Sequence, residues 1–167
     1  FDEWLSNVYY DEDLPALLNM VDFIDDEALA TKAAMVADLL LFDTAANSFK
    51  GAFVSTHGRT YTREKQSALE ESTIDTSKLL FGQGIFNGRD NMAASFIAMS
   101  GKYRMPEVLE RIAADIGRPS WTTKQRQSID FRDARRWGYG DRSLESAMGL
   151  LSYGGYSAPR SINGMVR

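Results

Sequence analysis

One short segment, Ser55-Thr56-His57-Gly58-Arg59-Thr60-Tyr61, holds the only histidine of the chain and sets an imidazole, a guanidinium and a phenol within five residues. Gly58 between them permits a tight turn. Imidazole moves protons near neutral pH, a guanidinium grips a carboxylate through two parallel hydrogen bonds, and a phenol beside cations gives up its proton more readily. Together they suit proton abstraction next to a carboxylate, with His57, Arg59 and Tyr61 as the catalytic candidates. The competing reading is structural: His57 caps a helix end, Arg59 pairs with Glu64 or Asp43, and Tyr61 packs as a lid.

Other groups point toward the same place. Asp43 and Asn47 stand four residues apart and share a helix face. A carboxylate beside Leu40 and Leu41 needs a partner, and Arg59 is the obvious one. Both residues are candidates for substrate binding. Glu70, Glu71 and Asp75 offer carboxylates for general acid and base work, although charge at a helix start explains them more simply. Trp137-Gly138-Tyr139-Gly140 reads as a loop whose exposed rings suit a sugar face, so Trp137 and Tyr139 join the binding candidates. No phosphate-binding, dinucleotide, metalloprotease or nucleophile-elbow motif occurs. The residues imply no cofactor, and a metal site would have to combine His57 with carboxylates.

The elements that must position these groups are helical. Two apolar stripes, Leu29-Ala33-Val36-Leu40 and Met35-Leu39-Phe42-Ala46-Phe49, predict a central helix from about Asp26 to Phe49 that packs on more than one side. Asp25 is its expected N-cap, and its length is about 36 Å. A shorter helix is expected to start at Leu14, with Asp13 as cap and Pro15 in the first turn, and to form an antiparallel hairpin with the central one. The stretch 51–73 breaks the pattern. Helical spacing returns over 74–81, 91–100, 106–116, 143–151 and from Pro159 onward, and 118–142 reads as a long ordered loop.

A weak internal repeat runs through the later helices. Gly101-Lys102-Tyr103-Arg104-Met105-Pro106 and Gly154-Gly155-Tyr156-Ser157-Ala158-Pro159 share G-x-Y-x-x-P at an offset of 53 residues, Tyr103 to Tyr156. Its physical content is a helix ended by Gly, a Tyr over the turn and a Pro opening the next helix. Tyr10 and Pro15 form a looser third copy. Periods near 50 residues built from helix pairs indicate stacked or ring-closed α-hairpins.

Composition bounds the rest. At 167 residues, with 44% hydrophobic and 25% charged content, the chain can fold as a single helical domain over 1–167. A net charge of −4 argues against a nucleic-acid binder. The basic stretch Lys124, Arg126, Arg132, Arg135 and Arg136 is interrupted by Asp130 and Asp133 and reads as a solvated face. Without cysteine there are no disulfides and no thiolate metal sites. No run approaches the roughly 20 apolar residues of a membrane span. Both ends look like cuts, so the remainder of a larger chain or partner subunits are expected, and the compartment stays open.

Helical hairpins of roughly 50 residues with a His/Arg/Tyr loop after a central helix resemble the (α/α) toroid enzymes that act on polysaccharides, among them lyases of the alginate and heparin type and several glycoside hydrolases. The site part of the likeness rests on Asn47, His57, Arg59 and Tyr61. It implies a mainly α fold, either a toroid or a helical-repeat fragment with long ordered loops, and a polysaccharide or oligosaccharide substrate. The activity implied is β-elimination at a uronic acid: Asn47 or Arg59 neutralises the carboxylate, Tyr61 or His57 takes the α-proton, and Tyr61 protonates the leaving oxygen. Such an enzyme would be secreted or periplasmic. A hydrolase using carboxylates fits the same scaffold, and a non-catalytic repeat module that presents a surface to a partner is the rival class.

Overall fold

The computed structural model describes residues 4–54, 57–89, 91–117 and 122, and all but the last belong to a compact unit spanning Glu3–Trp121. Among the described residues the chain is mainly α. Its elements are α1 (Asn7–Phe23), α2 (Glu27–Asn47), a ribbon of β1 (Ser48–Phe49) and β2 (Ala52–Phe53), α3 (Thr62–Gln66), α4 (Ile74–Phe81), α5 (Met92–Met99) and α6 (Glu107–Ala114). No described helix is long and apolar enough to cross a membrane. The expected helices over 143–151 and from Pro159, most of the 118–142 loop, Trp137, Tyr139 and the second copy of the repeat lie outside the described residues.

α1 and α2 pack against each other across the short link Ile24, Asp25 and Asp26, as the hairpin reading requires. Their shared core includes Tyr10, Leu14, Leu18, Ala37, Leu40 and Leu41, and Phe53, Ala93, Tyr103 and Leu109 complete it. α1 starts seven residues before the expected Leu14, and Pro15 lies inside it. The stripe Tyr10-Leu14-Leu18-Val21 extends backward at helical spacing, and burying each large side chain returns about 1.5–3 kcal/mol. That outweighs the roughly 3 kcal/mol a mid-helix proline costs. Ser6, not Asp13, caps the helix by accepting the Tyr9 N–H at 3.1 Å. Because Tyr10 and Pro15 share one helix, they are not a third copy of the turn motif.

α2 is capped by Asp26 rather than Asp25. Its carboxylate accepts the N–H groups of Ala28 and Leu29 at 2.9 and 3.1 Å, which only the residue next to the first turn can reach. At the far end the Thr44, Asn47 and Ser48 side chains donate back to the carbonyls four residues earlier. The helix stops at Asn47, two residues short of the expected end, because Ser48 and Phe49 pair with Phe53 and Ala52. Met35, Leu39 and Phe49 of the second stripe are exposed, so the described unit buries α2 mainly along Ala33, Ala37, Leu40, Leu41 and Ala45.

The ribbon turns at Lys50 and Gly51, both with positive φ (54° and 88°), the twist that two-residue hairpin loops favour. A Cβ on Gly51 would stand 2.5–2.7 Å from backbone atoms of Gln83 and Gly84. Neither backbone can rotate away, so Gly51→Ala is expected to cost at least about 2 kcal/mol and roughly 6 °C or more in Tm. Gly82→Ala is the control for left-handed strain alone. Gly82 has φ 68° and open space around it, and its substitution should cost about 1 kcal/mol. Equal losses in thermal unfolding would show that the ribbon does not press on that turn.

The turn between α5 and α6 follows the repeat reading in part. Tyr103 is buried over it and donates to Asp38 Oδ1 at 2.7 Å. The helix, however, ends at Met99 with Ser100 as its C-cap, Gly101 lacks the positive φ of a glycine cap, and Pro106 stands just before α6. Ser100 Oγ and the Lys102 N–H both donate to Asp22 at the end of α1.

Candidate functional site

The segment Trp4–Tyr10 organises the region. Leu5 has φ 57°, a left-handed backbone that costs a branched residue about 1–2 kcal/mol and holds only where contacts enforce it. Its N–H donates to the Tyr10 hydroxyl at 3.0 Å, and that hydroxyl donates to Asp43 Oδ2 at 3.0 Å. Trp4 Nε1 donates to the same oxygen at 3.2 Å. Asp43 is 1% exposed. Burial first, and then the Asp43 charge, push the Tyr10 phenol well above its ordinary range, which keeps it a donor. Asp43, for which Arg59 is the expected partner, accepts from both Tyr10 and Trp4 and through Tyr10 joins α2 to α1. Asn47 shares its face as expected, with Nδ2 donating to the Asp43 carbonyl at 2.8 Å.

The same segment straps down the histidine loop. His57 Nδ1 lies 2.9 Å from the Leu5 carbonyl. A carbonyl only accepts, so the neutral ring carries its proton on Nδ1 and its lone pair on Nε2. The ring stands edge-on to Phe53 at 5.0 Å. Ser6 Oγ donates to the Arg59 carbonyl at 2.7 Å while capping α1. The Arg59 guanidinium lies 5.4 Å from the Tyr9 ring centre and 5.9 Å from that of Tyr61, within cation–π range. The Tyr9 and Tyr61 hydroxyls are 3.1 Å apart. Arg59 and Tyr61 are therefore brought together through Tyr9, whereas His57 is anchored on Leu5 and Phe53.

Beside Tyr61 lies a cleft of about 380 Å³, framed by Val8, Asp11 and Glu12 of α1, Arg63 and Glu64 of α3, Ser72, Arg89, and the start of α5 at Asn91 and Met92. Of the residues singled out in the sequence Tyr61 lines it; His57, Arg59, Asp43 and Asn47 do not. Glu64 is buried and pairs with Arg63 through Oε1, at 3.0 Å from Nε. This replaces the expected Arg59–Glu64 pair. Its Oε2 is buried without a hydrogen-bond partner, an unusual and costly state for a carboxylate oxygen. Asp11 Oδ1 accepts the Ala93 N–H at 3.1 Å and so caps α5 from another helix.

The acidic group Glu70, Glu71 and Asp75 divides. Asp75 accepts the N–H groups of Asn87 and Gly88 at 2.7 and 3.1 Å. Glu70 lies near Arg89. Glu71 is 1% exposed, and its carboxylate accepts the Thr73 N–H and hydroxyl and, at 3.4 Å, the Phe53 N–H. Desolvation raises its pKa to about 7, although the Thr73 and Phe53 bonds oppose the shift and the Asn7 amide pulls the same way. Neither Asn7 amide atom reaches hydrogen-bond geometry, so its pull is weak beside that of Thr73.

Because Glu71 binds its proton more tightly folded than unfolded, its stabilisation is complete below about pH 4.5 and is lost as the pH rises through about 7. The loss is about 3 kcal/mol. Glu71→Gln is expected to raise Tm relative to the native chain at pH 8 and to change it little at pH 4. Thermal unfolding with the same difference at both pH values would show that Glu71 is not a buried acid.

Among the described residues no group of three or more His, Cys, Asp or Glu side chains could hold a metal ion. What the sequence reading missed is the role of Trp4–Tyr10 and the cleft residues Glu64, Arg89 and Asn91. Ser6 before Tyr9 and Tyr10 was a readable cap signal, but Pro15 pulled the expected start forward. Compared with known proteins, the chain matches no family model, no curated protein and no solved structure.

Proposed function

We propose that the chain acts on an acidic polysaccharide by β-elimination, with Tyr61 as the proton-transfer residue. The observation that carries this reading is the Tyr61 phenol at a cleft rim, held by the Tyr9 hydroxyl at 3.1 Å and flanked by the Arg59 guanidinium. Acting as the phenolate, Tyr61 takes the proton α to the uronate carboxylate, the electrons left behind form the double bond as the bond to the glycosidic oxygen breaks, and the phenol so formed returns that proton to the departing oxygen. The buried, unpartnered Glu64 Oε2 supports a sugar as ligand, since a hydroxyl is the donor it lacks. In this reading α1 and α2 are one hairpin of an (α/α) toroid or helical repeat, and the exposed Met35 and Leu39 face the next hairpin.

The test is to incubate the chain with uronate polymers and with a neutral glucan, following the ultraviolet absorbance of the double bond that elimination leaves in the product. Product from the uronate polymers alone is expected. New reducing ends without a double bond would indicate hydrolysis instead, and no turnover at all would favour a binding module.

A further inference from the structure

The cleft takes Arg63 and Arg89, and the two arginines are held very differently. Arg63 is paired with the buried Glu64. Arg89 stands on the loop between α4 and α5, whose backbone is tied down at several points. Asp75 holds the N–H groups of Asn87 and Gly88, Asn87 Nδ2 donates to the Leu69 carbonyl at 2.8 Å, and the Arg89 N–H donates to Asn87 Oδ1 at 2.9 Å. The guanidinium on this fixed base is loose. Its Nη1 is 3.9 Å from Glu70 Oε2, and the two side chains are 57% and 45% exposed. That distance is beyond a hydrogen bond, and a solvent-exposed pair of this kind is weakly held.

We infer that Arg89 is the receptor for the substrate's carboxylate and that Glu70 is its resident counter-ion, displaced on binding; this rests on the acidic-saccharide reading of the cleft. The guanidinium fork matches a planar carboxylate through two parallel bonds. The hydrogen-bonded backbone at Asn87, Gly88 and Arg89 means that binding has to order the side chain and not the main chain that carries it. Glu70 competes for the same fork, so removing its charge raises the fraction of Arg89 ready for ligand. Arg63, already committed to Glu64, takes the smaller part.

The test measures binding by calorimetry in the Tyr61→Phe background, where turnover does not interfere. The probes are an oligogalacturonate, the matching neutral galactose oligomer and a sulfated galactose. Arg89→Gln is expected to weaken oligogalacturonate binding on the order of ten- to a hundredfold, Arg89→Lys to recover part of it, and Glu70→Gln to tighten it severalfold. The neutral oligomer should respond to none of these changes. Unchanged oligogalacturonate affinity in a folded Arg89→Gln chain, no preference for uronate over the neutral oligomer, or a preference for the sulfated sugar would each overturn the assignment. If elimination never occurs but Arg89-dependent carboxylate binding does, the receptor stands and the reaction falls. If elimination proceeds with an unchanged KM in Arg89→Gln, the receptor alone falls.

Discussion

Tyr61→Phe is expected to lower turnover of a uronate polymer by roughly two to four orders of magnitude while leaving the fold untouched. The substitution removes one oxygen from a ring that is 47% exposed. The lost bond to Tyr9 is solvent-exposed, and surface changes of this size fall within about 0.5 kcal/mol. The ring remains for Arg59 to lie against. A purely structural Tyr61 predicts the opposite pattern, a small fall in Tm with unchanged turnover. Measuring kcat from product absorbance alongside thermal unfolding separates the two. Tyr9→Phe, which removes only the group that orients the phenol, should give a smaller loss in kcat and the same intact fold.

Asp43→Ala has the largest expected effect on stability, about 3 kcal/mol and roughly 10 °C in Tm. The carboxylate is the acceptor for the Tyr10 hydroxyl and for Trp4 Nε1, and its removal strands a buried donor at the centre of the α1–α2 contact. Alanine also leaves a void beside Leu40 and Leu41. The damage should spread to the loop, because Tyr10 holds the Leu5 N–H and Leu5 holds His57. Asp43→Asn keeps an acceptor oxygen and should lose less than half as much. A change below about 1 kcal/mol for alanine in denaturant unfolding would mean that Tyr10 and Trp4 find other acceptors.

The helices were legible where the apolar period was long and uninterrupted. α2, α4, α5 and α6 lie where the spacing put them, to within a few residues. α1 was cut short because Pro15 reads locally as a first-turn residue, and only the burial of Tyr10, Leu14 and Leu18 together reverses that. The ribbon was invisible because two-residue strands have no period, and its turn depends on a positive φ at Lys50, which no residue preference announces. The neighbourhood of Arg59 and Tyr61 could be read from their spacing, as could the shared face of Asp43 and Asn47. Arg89 and Asn91 could not, since they reach the Tyr61 cleft from distant chain segments through the packing of α1 on α5. Leu5 carries no chemical signal at all, and its left-handed turn exists because Tyr10 and His57 each take one side of it.

The most direct test of the central claim is to map where an acidic sugar sits. Amide shifts of the labelled chain, followed by nuclear magnetic resonance as an oligouronate is added, should move first at Tyr61, Arg63, Glu64, Arg89 and Asn91. The neutral counterpart should leave them still. Shifts that gather on the exposed Met35 and Leu39 face of α2, or that are the same for acidic and neutral sugars, would contradict a uronate site at Tyr61.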